Sequence, residues 1–171
     1  MSLGRLWAGW RTEYVTSADQ EEGCVLCRVL EADSNVVWRG ERCAAVLNAF
    51  PYTSGHLMVL PVRHVGELEE VSAEEAAELW AAVTDAVRAL KSAYGAQGIN
   101  VGANLGRVAG AGVPGHFHVH VLPRWDGDTN FMTSVAEARV IPESLSTSEQ
   151  KLRDAWPAGG VEAPLPSADD R

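Results

Sequence analysis

Residues 115–125 read Gly-His-Phe-His-Val-His-Val-Leu-Pro-Arg-Trp, and they contain three of the chain's five histidines, alternating with apolar residues. Successive side chains of an extended strand point to opposite faces. The alternation therefore predicts a strand over His116–Leu122 with His116, His118 and His120 on one face and apolar side chains on the other. A solvent-exposed strand face without a chemical function more often carries Thr, Lys, Glu or Ser. Three imidazoles on one face therefore favour a chemical role for these histidines.

The sequence also predicts a long helix over Val71–Tyr94. Ser72 and Glu75 have the spacing of a capping box, and Gly95 suits a left-handed residue after the last turn. The buried stripe of this helix repeats every three or four residues and consists of Leu79, Val83, Ala86, Leu90 and Tyr94.

Short apolar runs between turn residues predict the other strands. Together with the histidine strand they are Val36–Arg39, Cys43–Ala49, His56–Leu60 (ended by Pro61) and Gly98–Asn104. A helical turn is predicted after Cys27, over Arg28–Asp33. The fold class is therefore α+β, with an antiparallel sheet of about five strands packed against one long helix.

Both ends of the chain extend this core. We predict an amphipathic N-terminal helix over Leu3–Tyr14, a linker over Ser17–Gly23 and a C-terminal helical extension over Ser144–Trp156. Residues 157–171 have little to bury and are expected to form a disordered tail. Residues 1–156 would form one domain.

The composition limits the possible partners. A chain of 171 residues with 46% hydrophobic residues suits one globular domain. The net charge of −9 and a pI near 5.0 argue against binding nucleic acid or an anionic membrane surface. The sequence has no apolar run of about 18 residues and no secretion leader. We therefore expect a soluble, cytoplasmic protein.

Three cysteines in a chain without a secretion leader argue against a disulfide framework. Cys43 lies in an apolar strand and is expected to be a core residue. A single C-x-x-C formed by Cys24 and Cys27 can be redox-active, metal-binding or accidental. Its surroundings lack the strand-to-helix junction of a thioredoxin-like motif.

The alternating pattern at residues 116–122 resembles the signature of the histidine-triad (HIT) superfamily, whose members are nucleotidyl hydrolases and transferases. The segments NAFPYTSGHLMVLPVRH (48–64) and NVGANLG (100–106) resemble two further parts of that family, and the likeness covers roughly residues 23–142. RLWAGWRTEYV (5–15) and the run from the triad to residue 145 resemble more narrowly the actinobacterial diadenosine-tetraphosphate phosphorylase-like branch. The family fold agrees with the predicted α+β class.

The resemblance implies roles for four polar residues. His118 would attack the α-phosphate and become a nucleotidyl-histidine intermediate, His120 would donate to the phosphate oxygens, and His56 would orient the nucleophile. Asn48 would contact the ribose hydroxyls. From the residues alone, His56 could instead be a satisfied core histidine, and Asn48 could simply cap a turn.

The glycine-rich loop before the triad is expected to approach the phosphate. Asn104, Gly110 and Gly112 join Asn48 and His120 in the nucleotide-binding set, although from its residues alone this could be a merely flexible loop. The loop departs from the family pattern, because it lacks the usual Gln or Ser and is one residue longer. Whether water or phosphate accepts the nucleotidyl group is therefore open.

A subset of the family binds structural zinc, and the resemblance assigns its ligands to Cys24, Cys27, His64 and His116, which would close the coordination sphere. Family members are usually dimers. The implied activity is cleavage of a dinucleoside polyphosphate. The alternatives are a nucleoside phosphoramidase, a nucleotide-binding or partner-binding module with little turnover, and a zinc-stabilised scaffold.

Overall fold

The computed structural model describes residues 23–128 and 143–158. The predicted N-terminal helix and nearly all of the predicted tail lie outside these ranges. In chain order the elements are α1 (Val25–Glu31), β1 (Val36–Arg39), β2 (Cys43–Leu47), β3 (Leu57–Pro61), a 3-10 helix (Leu68–Glu70), α2 (Ala73–Tyr94), β4 (Gly98–Gly102), a second 3-10 helix (Arg107–Ala109), β5 (Val119–Arg124) and α3 (Leu145–Ala155).

The five strands form one antiparallel sheet in the order β1-β2-β3-β5-β4. This confirms the predicted fold class and strand number. β2 and β3 are buried along their whole length, which explains why their sequences are continuous apolar runs rather than alternating ones. Within β5, His120 lies opposite Met58 of β3.

Helix α2 is capped at both ends as its sequence predicts, although it begins at Ala73 rather than at Val71. The Ser72 side chain accepts from the backbone of Glu75, the Glu75 side chain accepts from the backbone of Ser72, and Gly95 adopts φ 58°. Four of the five stripe residues are buried, and Tyr94 is partly buried. Two further positions on this face, Ala82 and Ala89, are also buried in the core.

The sheet has a hydrophobic cluster on each face. On one face, side chains of α2 and α3 pack on alternate strand residues, including Ala45, Val59 and Val121. On the other face, Leu26 and Leu30 of α1 pack against the intervening strand residues, which are Val36, Ala44, Val46, Met58 and Leu60. Because His120 is paired with Met58, it lies on the α1 side of the sheet.

The predicted strand over His116–Leu122 is wrong at its start, since β5 begins at Val119. Loop contacts hold the preceding residues instead: the Phe117 N–H donates to the Val65 carbonyl at 2.7 Å. Phe117 and Val119 still pack on the α2 side, as the alternation predicts. The histidines, however, are not presented by one regular strand.

Other elements differ from the sequence prediction by a few residues at their ends. Pro61 is the last residue of β3 rather than the first residue after it, and it pairs with Cys43 of β2. The helical turn near Cys27 is α1, and it starts before that residue rather than after it. The C-terminal helix, which has a weak sequence pattern, is fixed by burial of Leu152 against the core. None of the helices within the described residues is long and apolar enough to cross a membrane.

Candidate active site and metal-binding cluster

His56 and His120 form a hydrogen-bonded pair. His56 lies just before β3 and is fully buried, and its Nε2 is 3.0 Å from Nδ1 of His120 in β5. The backbone N–H of Tyr52 donates to Nδ1 of His56 at 3.2 Å. His56 is therefore held at both ring nitrogens.

These contacts determine the tautomers of the pair. Because Nδ1 of His56 accepts from Tyr52, the proton of the neutral ring is on Nε2, and that N–H donates to Nδ1 of His120. The neutral ring of His120 then carries its own proton on Nε2. The result is a directional chain that ends in a donor on His120.

His118 has the opposite arrangement. Its Nδ1 is 2.7 Å from the carbonyl oxygen of His116, which can only accept, so the ring proton is on Nδ1 and Nε2 keeps its lone pair. Burial lowers the pKa of His118, whose residue is 5% exposed. The neutral form that a nucleophile requires is therefore favoured at neutral pH. The rings of His118 and His120 are 4.9 Å apart.

The geometry places His56 beside His120, and the role of His56 in orienting the nucleophile stays a prediction. Its hydrogen bond goes to His120, not to His118, because β3 and β5 are neighbours and Met58 faces His120. The carbonyl of His116 orients His118 instead. Sequence reasoning missed Tyr52, and the only signal for it was its position four residues before His56 in the Pro51–His56 turn.

Asn48 lies at the end of β2, beside this group. Its backbone N–H donates to the His56 carbonyl at 2.9 Å, and its Oδ1 accepts from the backbone N–H of Phe50 at 2.9 Å. Asn48 is thus the turn cap that the sequence allowed. The cap still leaves a second lone pair on Oδ1 and both amide N–H groups for a ligand.

The glycine-rich loop is folded around Asn104. The Asn104 side chain donates to the Gly110 carbonyl at 3.3 Å. The N–H of Gly110 donates to the Arg107 carbonyl at 2.9 Å and is therefore already used. The N–H of Gly112 has no acceptor within the described part of the chain. Of the two glycines predicted to bind phosphate, Gly112 is the one whose amide is available.

The four predicted zinc ligands come together. Nδ1 of His116 is 3.4 Å from Sγ of Cys24 and 3.6 Å from Sγ of Cys27, and Sγ of Cys27 is 3.3 Å from Nδ1 of His64. The four ligand atoms all lie within 4.8 Å of one another. A tetrahedron with Zn–S of ~2.3 Å and Zn–N of ~2.0 Å has S···N edges of about 3.5 Å. The cluster therefore fits a closed zinc site.

Two features support the ligand geometry. Helix α1 places Cys24, its N-cap, and Cys27 one turn apart on the same side. Nε2 of His116 is 2.9 Å from the Pro61 carbonyl, which turns Nδ1 toward the sulfurs. Burial, followed by the Cys24 side chain, raises the pKa of the Cys27 thiol to about 11 without a metal. Zinc binding would have to displace that proton.

An ion pair that sequence reasoning missed anchors the loop carrying His64. Nε and Nη2 of Arg63 donate to the two carboxylate oxygens of Glu75, each at 2.9 Å, and Nη2 also donates to the Glu70 carbonyl at 2.8 Å. Because Glu75 is also the capping-box residue, the start of α2 and the segment next to His64 are held together.

Comparisons with known proteins identify the family of this chain. The family model of the HIT domain matches residues 29–127. An AP-4-A phosphorylase of Mycobacterium tuberculosis is 39% identical over 165 residues, which cover 90% of this chain and 85% of the relative. The chain belongs to the HIT family, and it is a nucleotide-processing enzyme of that family.

More distant relatives cover most of the chain as well. The asymmetrical bis(5'-nucleosyl)-tetraphosphatase of Schizosaccharomyces pombe is 28% identical over 144 residues, covering 81% of this chain and 79% of the relative. The crystal structure of a Zn-bound histidine triad family protein from Mycobacterium smegmatis superposes with a TM-score of 0.66. It is 29% identical and covers 78% of this chain and 92% of that one.

Proposed function

We propose that this protein cleaves a dinucleoside polyphosphate, most simply diadenosine tetraphosphate, through a nucleotidyl-histidine intermediate. The observation that carries the proposal is the pair of complementary tautomers: a bare Nε2 on buried His118 beside an Nε2–H donor on His120. The names of the relatives, an AP-4-A phosphorylase and a tetraphosphatase, support the substrate class.

In the first step, Nε2 of His118 attacks the α-phosphorus, forming a P–N bond while the bridging P–O bond breaks and the remaining nucleoside polyphosphate departs. The Nε2–H of His120 donates to an oxygen of the attacked phosphate and stabilises its growing negative charge. In the second step, an oxygen of water or phosphate attacks the same phosphorus, and an attacking water releases a proton to the solvent. The P–N bond breaks, and the lone pair returns to His118.

The remaining contacts are assigned to substrate binding. The Asn48 amide would face the ribose hydroxyls with both donor and acceptor capacity. The N–H of Gly112 would donate to a phosphate oxygen, and Asn104 would hold the loop in the required conformation through the Gly110 carbonyl. A −9 chain that binds an anionic substrate needs such local donors.

Turnover of diadenosine tetraphosphate, with and without inorganic phosphate, tests both the reaction and the acceptor. Water as acceptor gives AMP and ATP, whereas phosphate gives ADP and ATP. Ion-exchange analysis at several phosphate concentrations separates these products. We propose the phosphorylase reaction; if phosphate changes neither rate nor products, the enzyme is a hydrolase.

The nucleophile is tested with His118→Ala. Turnover should fall by about three orders of magnitude or more while nucleotide binding stays measurable, because the binding groups are on other residues. In rapidly quenched wild-type protein, intact mass should show one added nucleotidyl group. Substantial activity in His118→Ala would refute the assignment.

The same assay addresses the alternatives. A nucleoside phosphoramidase would cleave an adenosine phosphoramidate through the same His118 intermediate but turn over the tetraphosphate poorly. A binding module would show nucleotide affinity without either reaction.

We further propose that Cys24, Cys27, His64 and His116 hold one structural zinc ion. Such an ion would tie α1 to the loop after β3 and to His116, whose carbonyl orients His118. The purified protein should contain about one zinc per chain, and Cys24→Ser should lose the zinc and melt at a lower temperature. Cys43→Ala, which changes a cysteine outside the cluster, should keep the zinc. Metal-free protein with unchanged melting and turnover would refute this role.

We also propose a cytoplasmic homodimer. β4 is an edge strand, and Val101 on it is 42% exposed, which leaves a strand edge that a second copy could cover. Free thiols in the metal cluster suit a reducing compartment. Light scattering coupled to size exclusion measures the mass directly, and a monomer at micromolar concentration would refute the dimer.

A further inference from the structure

Tyr52 packs against the two histidines that form the hydrogen-bonded pair. The centroid of its ring is 4.8 Å from that of His56, with 35° between the ring planes, and 6.3 Å from that of His120, with 33° between the planes. The rings of His56 and His120 are themselves 5.1 Å apart. The three rings thus form one group. The two histidines have expected chemical roles, and Tyr52 has none so far.

The backbone fixes the position of Tyr52 relative to His56. The Tyr52 N–H donates to Nδ1 of His56, the His56 N–H donates to the Thr53 carbonyl at 3.2 Å, and the Asn48 N–H donates to the His56 carbonyl. Residues 48–56 therefore form a closed turn. Through it, the main chain and the ring of Tyr52 act on the same imidazole.

We propose that Tyr52 is a positioning residue for His120. Its main chain determines the tautomer of His56, and its ring holds the His56–His120 pair so that the Nε2–H of His120 points to the substrate phosphate. The part of this proposal that directs the N–H toward a substrate phosphate rests on the proposed nucleotidyl transfer. The part that concerns the ring packing and the tautomers is independent of that function.

The face of the ring, rather than the hydroxyl, provides this function. His56 is fully buried and His120 is partly buried, and the Tyr52 ring lies next to both imidazole rings. Tilted aromatic pairs stabilise each other beyond the area they bury. Without the Tyr52 ring, His120 would turn away from His56, and its two tautomers would compete.

The test compares Tyr52→Ala with Tyr52→Phe, which retains the ring and removes the hydroxyl. We expect kcat on diadenosine tetraphosphate to fall about threefold to tenfold in Tyr52→Ala, with KM little changed, and to stay within about twofold of wild type in Tyr52→Phe. Tyr52→Leu, which keeps apolar bulk without an aromatic face, should behave like Tyr52→Ala. Tyr52→Leu replaces Tyr52→Ala in the comparison if the alanine variant does not fold. Melting curves check that all three variants are folded.

A second readout needs no substrate. Long-range proton–nitrogen NMR spectra of the histidine rings should show the Nε2–H tautomer of His120 in wild type and Tyr52→Phe, and a mixture of tautomers in Tyr52→Ala. If wild-type protein lacks turnover, the proposed function fails while this measurement still decides the role of Tyr52. Equal loss of kcat in Tyr52→Phe and Tyr52→Ala, an increase in KM alone, or an unchanged His120 tautomer in Tyr52→Ala would overturn the proposal.

Discussion

Replacing Glu75 with Gln removes the charge of the carboxylate that joins the start of α2 to the loop carrying His64. The carboxylate accepts from two nitrogens of Arg63 and from the backbone N–H of Ser72, each at 2.9 Å. An amide in its place keeps one acceptor oxygen for the cap, but it turns an N–H₂ group toward the guanidinium. We therefore expect Glu75→Gln to be destabilising.

The pKa of Glu75 gives the size of the effect. The Arg63 hydrogen bonds are the largest cause that lowers this pKa, from 4.5 to about 2. Each pH unit corresponds to about 1.4 kcal/mol, so a fully shielded pair would stabilise the fold by about 3 kcal/mol. The Glu75 side chain is only 8% exposed, but that of Arg63 is 53% exposed. Solvent screening reduces the expected contribution to about 1–2 kcal/mol.

The sign of the pH dependence follows from the same pKa. Because the pKa of Glu75 is lower in the folded state than in the unfolded state, the stabilisation is present above pH 4.5 and is lost as the pH falls toward 2. The difference in the free energy of unfolding between wild type and Glu75→Gln should be about 1–2 kcal/mol at pH 6 and shrink toward zero near pH 2. If the proposed zinc ion is lost in acid, wild type and Glu75→Gln both lose it, so the comparison is made between proteins in the same metal state at each pH.

Urea unfolding followed by circular dichroism at several pH values measures this difference. Glu69→Gln is the matched control, since it removes an exposed negative charge just before the same helix. A difference that does not change with pH, or an equal loss in Glu69→Gln, would show that the charge of Glu75 is not what stabilises this corner.

Two further substitutions test the packing around the site. Leu152→Ala should destabilise the protein by about 2–5 kcal/mol, because Leu152 is fully buried between α3 and the core; Leu68→Ala, at a residue that is 48% exposed, should cost far less in the same thermal unfolding assay. Gly55→Ala should lower the free energy of unfolding by about 1–3 kcal/mol, because Gly55 has φ 76° and a Cβ there would be 2.8 Å from the Tyr94 ring. It should also lower turnover, because the adjacent residue is His56. Gly102→Ala has open space for its Cβ and should change neither property much.

The amino-acid sequence by itself determined the elements whose signals are local. The capping box of Ser72 and Glu75, the stripe of α2 and the apolar runs of β2 and β3 each depend on residues within a few positions of one another. The sequence also predicts the histidines as the chemical group, because alternation and residue type appear together in a single short segment. The four candidate zinc ligands were predicted only through the family resemblance, and the structure brings all four together.

Only the tertiary structure decided which groups each histidine contacts. His56 and His120 are 64 positions apart and meet because β3 and β5 are neighbours. His116 turns to the cysteines because loop contacts, rather than a strand ladder, hold it before β5. The pairing of Arg63 with Glu75 and the placement of Tyr52 likewise depend on chain reversals. Periodicity reports which face a side chain occupies, but it does not report which distant group the fold brings to that face.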